Sequence, residues 1–116
     1  MKRRYRLTRE TDFKRVRRYG KSYAHPFVVL ITHPNGLNFS RFGISAGGYL
    51  GSAVQRNKAK RLIREIIRLI IPDIQPGWDI IIIARRALID AEYAKIRSAL
   101  STLVQKAGVL DKPHDH

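Results

Sequence analysis

Acidic and histidine side chains are the groups in this 116-residue sequence that could act as catalysts. A two-metal nuclease centre needs several carboxylates close together, and the nine acidic residues are spread along the chain. Glu10 and Asp12 fall in the first turn of one predicted helix, where the helix dipole favours acids. Asp90 and Glu92 fall at the start of another. Residue spacing does not exclude a metal centre whose carboxylates meet only in the folded chain. The sequence itself predicts no catalytic residue and no metal site.

Histidines and glycines do not form a catalytic or phosphate-binding motif either. His25 and His33 are explained as polar ends of a predicted strand. His114 and His116 could bind a metal ion, but a mobile tail makes a poor site. The glycines at positions 43, 47, 48 and 51 match neither GxxxxGK[ST] nor GxGxxG. Binding is therefore a better hypothesis than catalysis by this chain.

Lys and Arg side chains form the densest group of candidate binding residues in the sequence. From Ser52 to Ile71, apolar residues recur with the period of an amphipathic helix, and the side predicted to face the core, here called the apolar stripe, comprises Gln55, Ala59, Leu62, Ile63, Ile66, Leu69 and Ile70. The opposite side carries Arg56, Asn57, Lys60, Arg61, Arg64 and Arg68, with Lys58 on its flank, and these seven residues are here called the basic arc. Arg can donate two hydrogen bonds to one phosphate, and Lys offers a point charge. Because like charges on one arc repel each other, a polyanion lying against the arc would remove an electrostatic cost.

The composition of the chain agrees with a nucleic-acid partner. Lys and Arg number 23 against nine acids, for a formal net charge of +14, which points first to nucleic acid and second to an anionic membrane. No apolar run approaches the ~18 residues of a membrane span, and the start, MKRRYRLTRE, lacks the apolar core of a secretory signal. The chain has no cysteine, which excludes disulfides and fits a reducing compartment. We expect a cytoplasmic protein with no membrane role and no small-molecule substrate.

The elements that must position the basic arc predict an α+β fold. Ser52 and Gln55 predict a capping box at the start of the long helix. Thr8 is the predicted N-cap of a first helix over residues 9–19, which Gly20 ends as a C′ residue. Asp90 is the predicted cap of a last helix over residues 91–106, closed by Gly108.

Two strands are predicted before the long helix and one after it. The apolar residues 27–33 and the alternating residues 38–46 flank the turn sequence Pro34-Asn35-Gly36, so we expect an antiparallel hairpin. The run WDIIIIA, residues 78–84, predicts a central strand buried on both faces. The first helix is only weakly apolar, so we expect a partly open cleft between that helix and the sheet.

The order of residues in the basic arc closely resembles a known family. The run Arg56-Asn57-Lys58-Ala59-Lys60-Arg61-Leu62-Ile63-Arg64-Glu65 is similar to the RNR-type motif of the bacterial ribonuclease P protein subunit. Lys58 stands for its usual third Arg. Arg6-Leu7-Thr8, Asp12-Phe13 and Gly20 match that family's first helix, residues 41–45 its strand before the motif, and residues 79–85 its later strand. The resemblance covers about residues 4–107.

The resemblance implies more than the spacing of residues shows. The family fold is a small α/β sandwich like domain 2 of ribosomal protein S5, with three helices, a mixed sheet and a left-handed βαβ crossover. We expect one RNA-binding domain over residues 1–110 and a disordered tail over residues 111–116. The family works in a ribonucleoprotein endonuclease that removes the 5′ leader of precursor tRNA, with catalysis by its RNA. The implied partners are ribonuclease P RNA and precursor tRNA, and the implied cofactor is Mg²⁺ bound mainly by the RNA.

The resemblance also assigns roles to individual residues. The arc residues Arg56, Asn57, Lys58, Lys60, Arg61 and Arg64 would contact the catalytic RNA, and we add Arg68 on its position in the arc. Phe13 would stack in the leader cleft, with Val29 and Ile31 on the facing strand. Arg17 replaces a usual aromatic residue four positions after Phe13, so we expect the leader to be held partly by charge. The usual Lys-Lys pair after Ser45 is missing, and Ala46, Gly47, Gly48 and Tyr49 follow instead.

Three other classes of protein fit part of the sequence. A structural RNA-binding protein of the ribosomal type would have the same composition. A metal-dependent nuclease would need carboxylates that meet only in the folded chain. A DNA-binding recognition helix would need a preceding short helix and turn, which the chain before Ser52 lacks.

Overall fold

The computed structural model of the chain describes residues 5–111, which form a mixed four-stranded sheet with three helices. Residues 112–116 of the expected tail lie outside the described residues. The elements in chain order are α1 (Glu10–Tyr19), β1 (Lys21–Ala24), β2 (Val28–Pro34), β3 (Arg41–Ser45), α2 (Ala53–Ile70), β4 (Trp78–Ala84) and α3 (Tyr93–Ala107). The strand order is β1-β2-β4-β3, antiparallel except for the parallel pair β3–β4. The predicted α+β class is confirmed.

The pairing of the strands differs from the expected hairpin. β4 lies between β2 and β3, with Ile82 opposite Leu30 on one side and Ile44 on the other. An almost wholly apolar strand buries most surface in the middle of a sheet, and this outweighs the local preference of the turn at 34–36. β3 therefore reaches its neighbour through α2, in a parallel crossover whose left hand stays an expectation from the resemblance. β1 was missed because its four residues, KSYA, are mostly exposed and carry no apolar signal.

The sheet separates a large apolar layer from a small one. On one face, sheet residues such as Leu30 and Ile82 pack against buried residues of α2 and α3, among them Ile63 and Leu100. On the other face, α1 buries only a small cluster around Val16, with further apolar residues partly exposed. Each fully buried side chain of this kind contributes about 1.5–3 kcal/mol. The first layer therefore dominates stability, and the second leaves an open cleft.

The long helix α2 begins as the sequence predicts. The Ser52 hydroxyl accepts a hydrogen bond from the Gln55 backbone N–H at 3.2 Å, and the Gln55 side-chain oxygen accepts one from Ser52 N–H at 3.0 Å. Its buried side is rotated slightly from the expected one. Ile67 is buried, and Leu69, expected in the stripe, is 53% exposed. The opposite side remains free to carry the basic arc.

The other two helices begin one or two residues later than predicted. The N-cap residues are Arg9 and Glu92, not Thr8 and Asp90, and neither makes a side-chain capping bond. The last helix ends as expected, since Gly108 has a φ of 70°, in the left-handed region that glycine adopts readily.

Gly20 ends α1 for a reason other than the predicted left-handed conformation. Its φ is −79°, which any residue can adopt. A Cβ atom there would lie 2.5 Å from the Val16 carbonyl oxygen and 2.8 Å from the Thr32 carbonyl oxygen. Glycine is therefore needed because the backbones of α1 and β2 approach each other closely.

Replacing Gly20 with alanine is expected to lower the free energy of unfolding by about 1–3 kcal/mol, since rigid backbone must move to admit the methyl group. Urea unfolding followed by circular dichroism measures this loss. Gly48→Ala is the matched control, because a Cβ there meets nothing within 4 Å. Equal stability of the two variants would show that α1 can shift away from β2 without cost.

Candidate nucleic-acid interface

The basic arc lies on the side of α2 that faces away from the apolar core. Arg56, Lys60 and Arg64 are partly buried along one edge, and the other members of the arc are exposed. At about 100° per residue, all members except Lys58 lie in one sector of the helix surface that is roughly 140° wide. None of the six cations lies within 4.0 Å of a carboxylate of residues 5–111. The structure therefore brings the predicted residues together on one surface, where none of the six cations is ion-paired with an acid of residues 5–111.

A pocket of about 170 Å³ joins the basic arc to the segment before α1. Its lining comprises Arg6, Leu7, Thr8, Phe42, Gly43, Ile44, Lys60 and Arg64. The Leu7 N–H donates to the Phe42 carbonyl at 2.8 Å, so this segment runs along the open edge of β3. Three cations around one small pocket suit an anion such as a phosphate group. The sequence did not predict a role for Arg6, because its place depends on this pairing with the edge strand.

The predicted cleft lies between α1 and the sheet, but one expected residue is not on its surface. Phe13 and Val29 are partly exposed, whereas Ile31 is 5% exposed and packs with Val16. Ile31 therefore supports the floor of the cleft and does not face a ligand. Ile83, opposite Val29 in the sheet, is partly exposed in its place. The sequence missed Ile83 because it lies in a run of four isoleucines with no internal contrast.

Phe13 and Arg17, one turn apart on α1, both reach toward β3. The Arg17 guanidinium donates from Nη2 to the Ser45 hydroxyl at 3.1 Å. The Phe13 ring lies over Gly43, where a Cβ atom would be 2.6 Å from the ring carbon Cζ. The cleft thus presents an aromatic ring beside an exposed guanidinium, a combination that suits a base and its phosphate.

Two other arginines beside the cleft are bound to acids. Asp79 is fully buried and accepts from Arg41 at 2.9 Å and 2.8 Å, and from the Asn35 amide at 3.0 Å. Asp12 accepts from Arg15 at 2.6 Å and lies 3.8 Å from Arg41. The hydrogen bonds to Asp79 raise the pKa of Arg41 above its ordinary value, so this side chain keeps its charge at neutral pH. The network ties α1 to β3 and β4.

The described residues offer cations and an aromatic ring for binding. In that part of the chain, no group of three or more His, Cys, Asp and Glu could hold a metal ion. No helix among residues 5–111 is long and apolar enough to cross a membrane. A basic helix on one face of a small mixed sheet and an aromatic cleft on the other define a nucleic-acid-binding protein as the class.

Comparison with known proteins gives the family. The family model described as Ribonuclease P matches residues 1–108, and this chain belongs to that family, as the motif in α2 predicted. The ribonuclease P protein component of Herpetosiphon aurantiacus is 43% identical over 107 residues, which cover 92% of this chain and 87% of that protein. The corresponding protein of Natranaerobius thermophilus is 40% identical over 91% of this chain and 92% of that protein.

Solved structures of the same family share the fold. The RNase P protein of Staphylococcus aureus superposes with a TM-score of 0.84 at 36% identity, covering 92% of this chain and 98% of that one. The RNase P protein from Thermotoga maritima gives a TM-score of 0.79 at 33% identity, covering 87% and 96%. The fold predicted from the resemblance is therefore confirmed by structures with clear sequence similarity.

Proposed function

We propose that this chain is the protein subunit of ribonuclease P and supports endonucleolytic removal of the 5′ leader from precursor tRNA. The observation that supports this most directly is a basic arc whose six cations form no ion pair among residues 5–111, together with an aromatic cleft on the other face of the sheet, in a chain of this family. Two surfaces allow two RNA partners to be held at once. We place the protein in the cytoplasm.

The basic arc binds the catalytic RNA through its phosphates. Its six cations, with Asn57 as a hydrogen-bonding neighbour, lie along one helix. If all six meet phosphates, the logarithmic salt dependence of binding has a slope of roughly −4 to −5. The pocket between Arg6, Lys60 and Arg64 seats one of these phosphates and orients the RNA relative to β3. Phosphate contacts of this kind position an RNA and do not read its sequence.

The cleft binds the single-stranded leader. Phe13 stacks on a base, Arg17 pairs with a phosphate, and Val29 and Ile83 form the apolar floor. Stacking of one base on an aromatic side chain is worth about 1–3 kcal/mol. Because neither contact needs a particular base, the cleft accepts leaders of varied sequence.

Catalysis belongs to the RNA subunit, and the Mg²⁺ ions of the reaction are bound mainly by that RNA. The acids nearest the cleft, Asp12 and Asp79, are already bound to Arg15 and Arg41. A carboxylate held by a guanidinium is poorly suited to bind a metal ion, because the metal would have to displace the arginine. The protein subunit therefore contributes binding and positioning.

Reconstitution tests this proposal. Protein alone, incubated with precursor tRNA and Mg²⁺, is expected to leave the substrate intact. Adding a bacterial ribonuclease P RNA at low Mg²⁺ is expected to produce mature 5′ ends, visible on a sequencing gel. Cleavage by RNA-free protein would instead indicate a metal-dependent nuclease. Binding without any stimulation of the RNA would favour a structural RNA-binding protein of the ribosomal type.

A further inference from the structure

We propose that Tyr49 is a stacking platform for an unpaired nucleobase where the leader leaves the cleft, with Arg86 beside it to bind that nucleotide's phosphate. The inference extends the proposed function, because it names a contact for single-stranded RNA outside the surface formed by Phe13 and Arg17. Tyr49 lies in the loop between β3 and α2, in a short 3₁₀ turn, Gly48–Leu50.

Tyr49 is held in place through both its side chain and its backbone. Its hydroxyl donates to the carbonyl oxygen of Ala84, the last residue of β4. Its own carbonyl oxygen accepts from Nε and Nη2 of Arg86, at 3.3 Å and 3.1 Å. The ring lies against Gly47, where a Cβ atom would be 2.6 Å from the ring carbon Cε1. The loop therefore fixes the ring before any ligand arrives.

Tyr49 as a whole residue nevertheless remains 49% exposed. Because the hydroxyl is bonded inward to the Ala84 carbonyl, the ring is the part of the Tyr49 side chain left to contact a ligand. An aromatic side chain that is already ordered loses little conformational entropy when a ligand binds. Bases stack on such a ring whatever their identity. The exposed ring is therefore suited to bind RNA without selecting a sequence.

The position of Tyr49 connects it to the cleft. Ser45, which accepts the hydrogen bond from Arg17, is the last residue of β3 and lies opposite Ile83 of β4. Tyr49 follows four residues later and touches the residue after Ile83. A single strand that passes Phe13 and then Arg17 thus reaches the end of the sheet at which Tyr49 stands.

Arg86 makes the site a pair of complementary groups. Arg86 is exposed, and its Nε and Nη2 donate hydrogen bonds to the Tyr49 carbonyl oxygen. The two N–H groups of Nη1 take no part in these bonds and can donate to a ligand. A phosphate beside the stacked base can accept from Nη1 as a charge-assisted bond. Since this loop has no Lys-Lys pair, the ring and Arg86 supply contacts that the pair would otherwise supply to RNA at this end of the sheet.

Fluorescence of 2-aminopurine tests the proposal on the whole protein without the RNA subunit. Single-stranded oligoribonucleotides carrying the probe at one position at a time are titrated with wild type, and stacking on Tyr49 is expected to quench one probe position. Tyr49→Ala is expected to abolish that quench and to weaken binding about 5-fold or more, because about 1 kcal/mol or more of stacking is lost. The salt slope should not change, since no charge is removed.

Three further variants separate stacking from a structural role. Tyr49→Phe keeps the ring but loses the bond to Ala84, and it is expected to retain the quench. Tyr49→Leu keeps apolar bulk in the loop but cannot stack, so it should behave as Tyr49→Ala even if that variant folds poorly. Arg86→Ala is expected to keep the quench and to lower the magnitude of the salt slope by about 0.7.

The outcomes distinguish this inference from the proposed function. A quench that survives in Tyr49→Leu, or that is lost in Tyr49→Phe at unchanged thermal stability, overturns the stacking role. Failure of wild type to bind the oligoribonucleotides overturns it as well. If reconstituted cleavage works and Tyr49→Leu matches wild type in binding, only this inference fails. If cleavage fails but the quench depends on Tyr49, the stacking site stands and the ribonuclease P role falls.

Discussion

Replacing Asp79 with alanine is expected to lower the free energy of unfolding by about 3–5 kcal/mol, because one partner of a buried ion pair is removed. Asp79 is fully buried and accepts three hydrogen bonds, two from Arg41 and one from Asn35. Without the carboxylate, the Arg41 charge stays partly buried, and Asp12, at 3.8 Å, is the one remaining acid of residues 5–111 within 4.0 Å of it. Urea unfolding of both proteins, followed by circular dichroism, gives the difference directly.

Glu10→Ala is the matched control for Asp79→Ala. It also removes one carboxylate from an ion pair, but Glu10 and Lys14 are 83% and 74% exposed. Exposed pairs contribute about 0–1 kcal/mol. A second variant, Asp79→Leu with Arg41→Met, removes both charges and should be more stable than Asp79→Ala, since no charge is left unpaired. If Asp79→Ala is as stable as Glu10→Ala, this network does not hold α1 on the sheet.

The same network makes two of this chain's arginines weaker candidates for contacts to RNA than the cations of the basic arc. Arg15 and Arg41 are near the cleft, but their charges are balanced by Asp12 and Asp79. The cations of α2 have no such described partners. Net charge therefore gives a poor measure of RNA affinity, whereas the position of each cation relative to the nearest carboxylate gives a better one.

Features that depend on neighbouring residues were predictable from the sequence. The capping box of Ser52 and Gln55 and the separation of basic and apolar sides depend on residues three or four positions apart. The central strand was predictable because WDIIIIA is apolar at successive positions, which only burial on both faces explains. These two elements are enough to place the basic arc.

Features that depend on distant residues were not predictable. Arg41 and Asp79 are 38 positions apart, and nothing in the local sequence of either indicates the pair. The expected hairpin was wrong because a competing strand more than thirty residues further on offers more apolar surface to β2 and β3. The same limit applies to Gly20. Glycine is needed there because the carbonyl oxygen of Thr32, in β2, lies close to it in the folded chain. The weakly apolar first helix predicted the cleft, and the resemblance named its residues, but neither could show that Ile31 lies beneath its surface.

Replacing Arg61 and Arg64 with alanine is expected to weaken binding to ribonuclease P RNA by at least about tenfold, because two charge-assisted contacts to phosphate are lost. The magnitude of the salt slope should fall by about 1.4–1.8. Thermal stability should stay near that of wild type, since neither arginine is paired with a described acid. Filter binding at several salt concentrations gives both the affinity and the slope.

A double variant on α3, Lys95→Ala with Arg97→Ala, is the control that separates placement from net charge. Both residues are exposed, and the variant loses the same two charges from a chain of formal charge +14. If the RNA is held by the arc, this variant should keep most of the affinity and the wild-type slope, because its cations meet no phosphates. Equal losses in the two variants would mean that the RNA is attracted by overall charge. A large loss of stability in the α2 variant alone would mean that those arginines hold the fold, so that weaker RNA binding follows from unfolding and not from missing contacts.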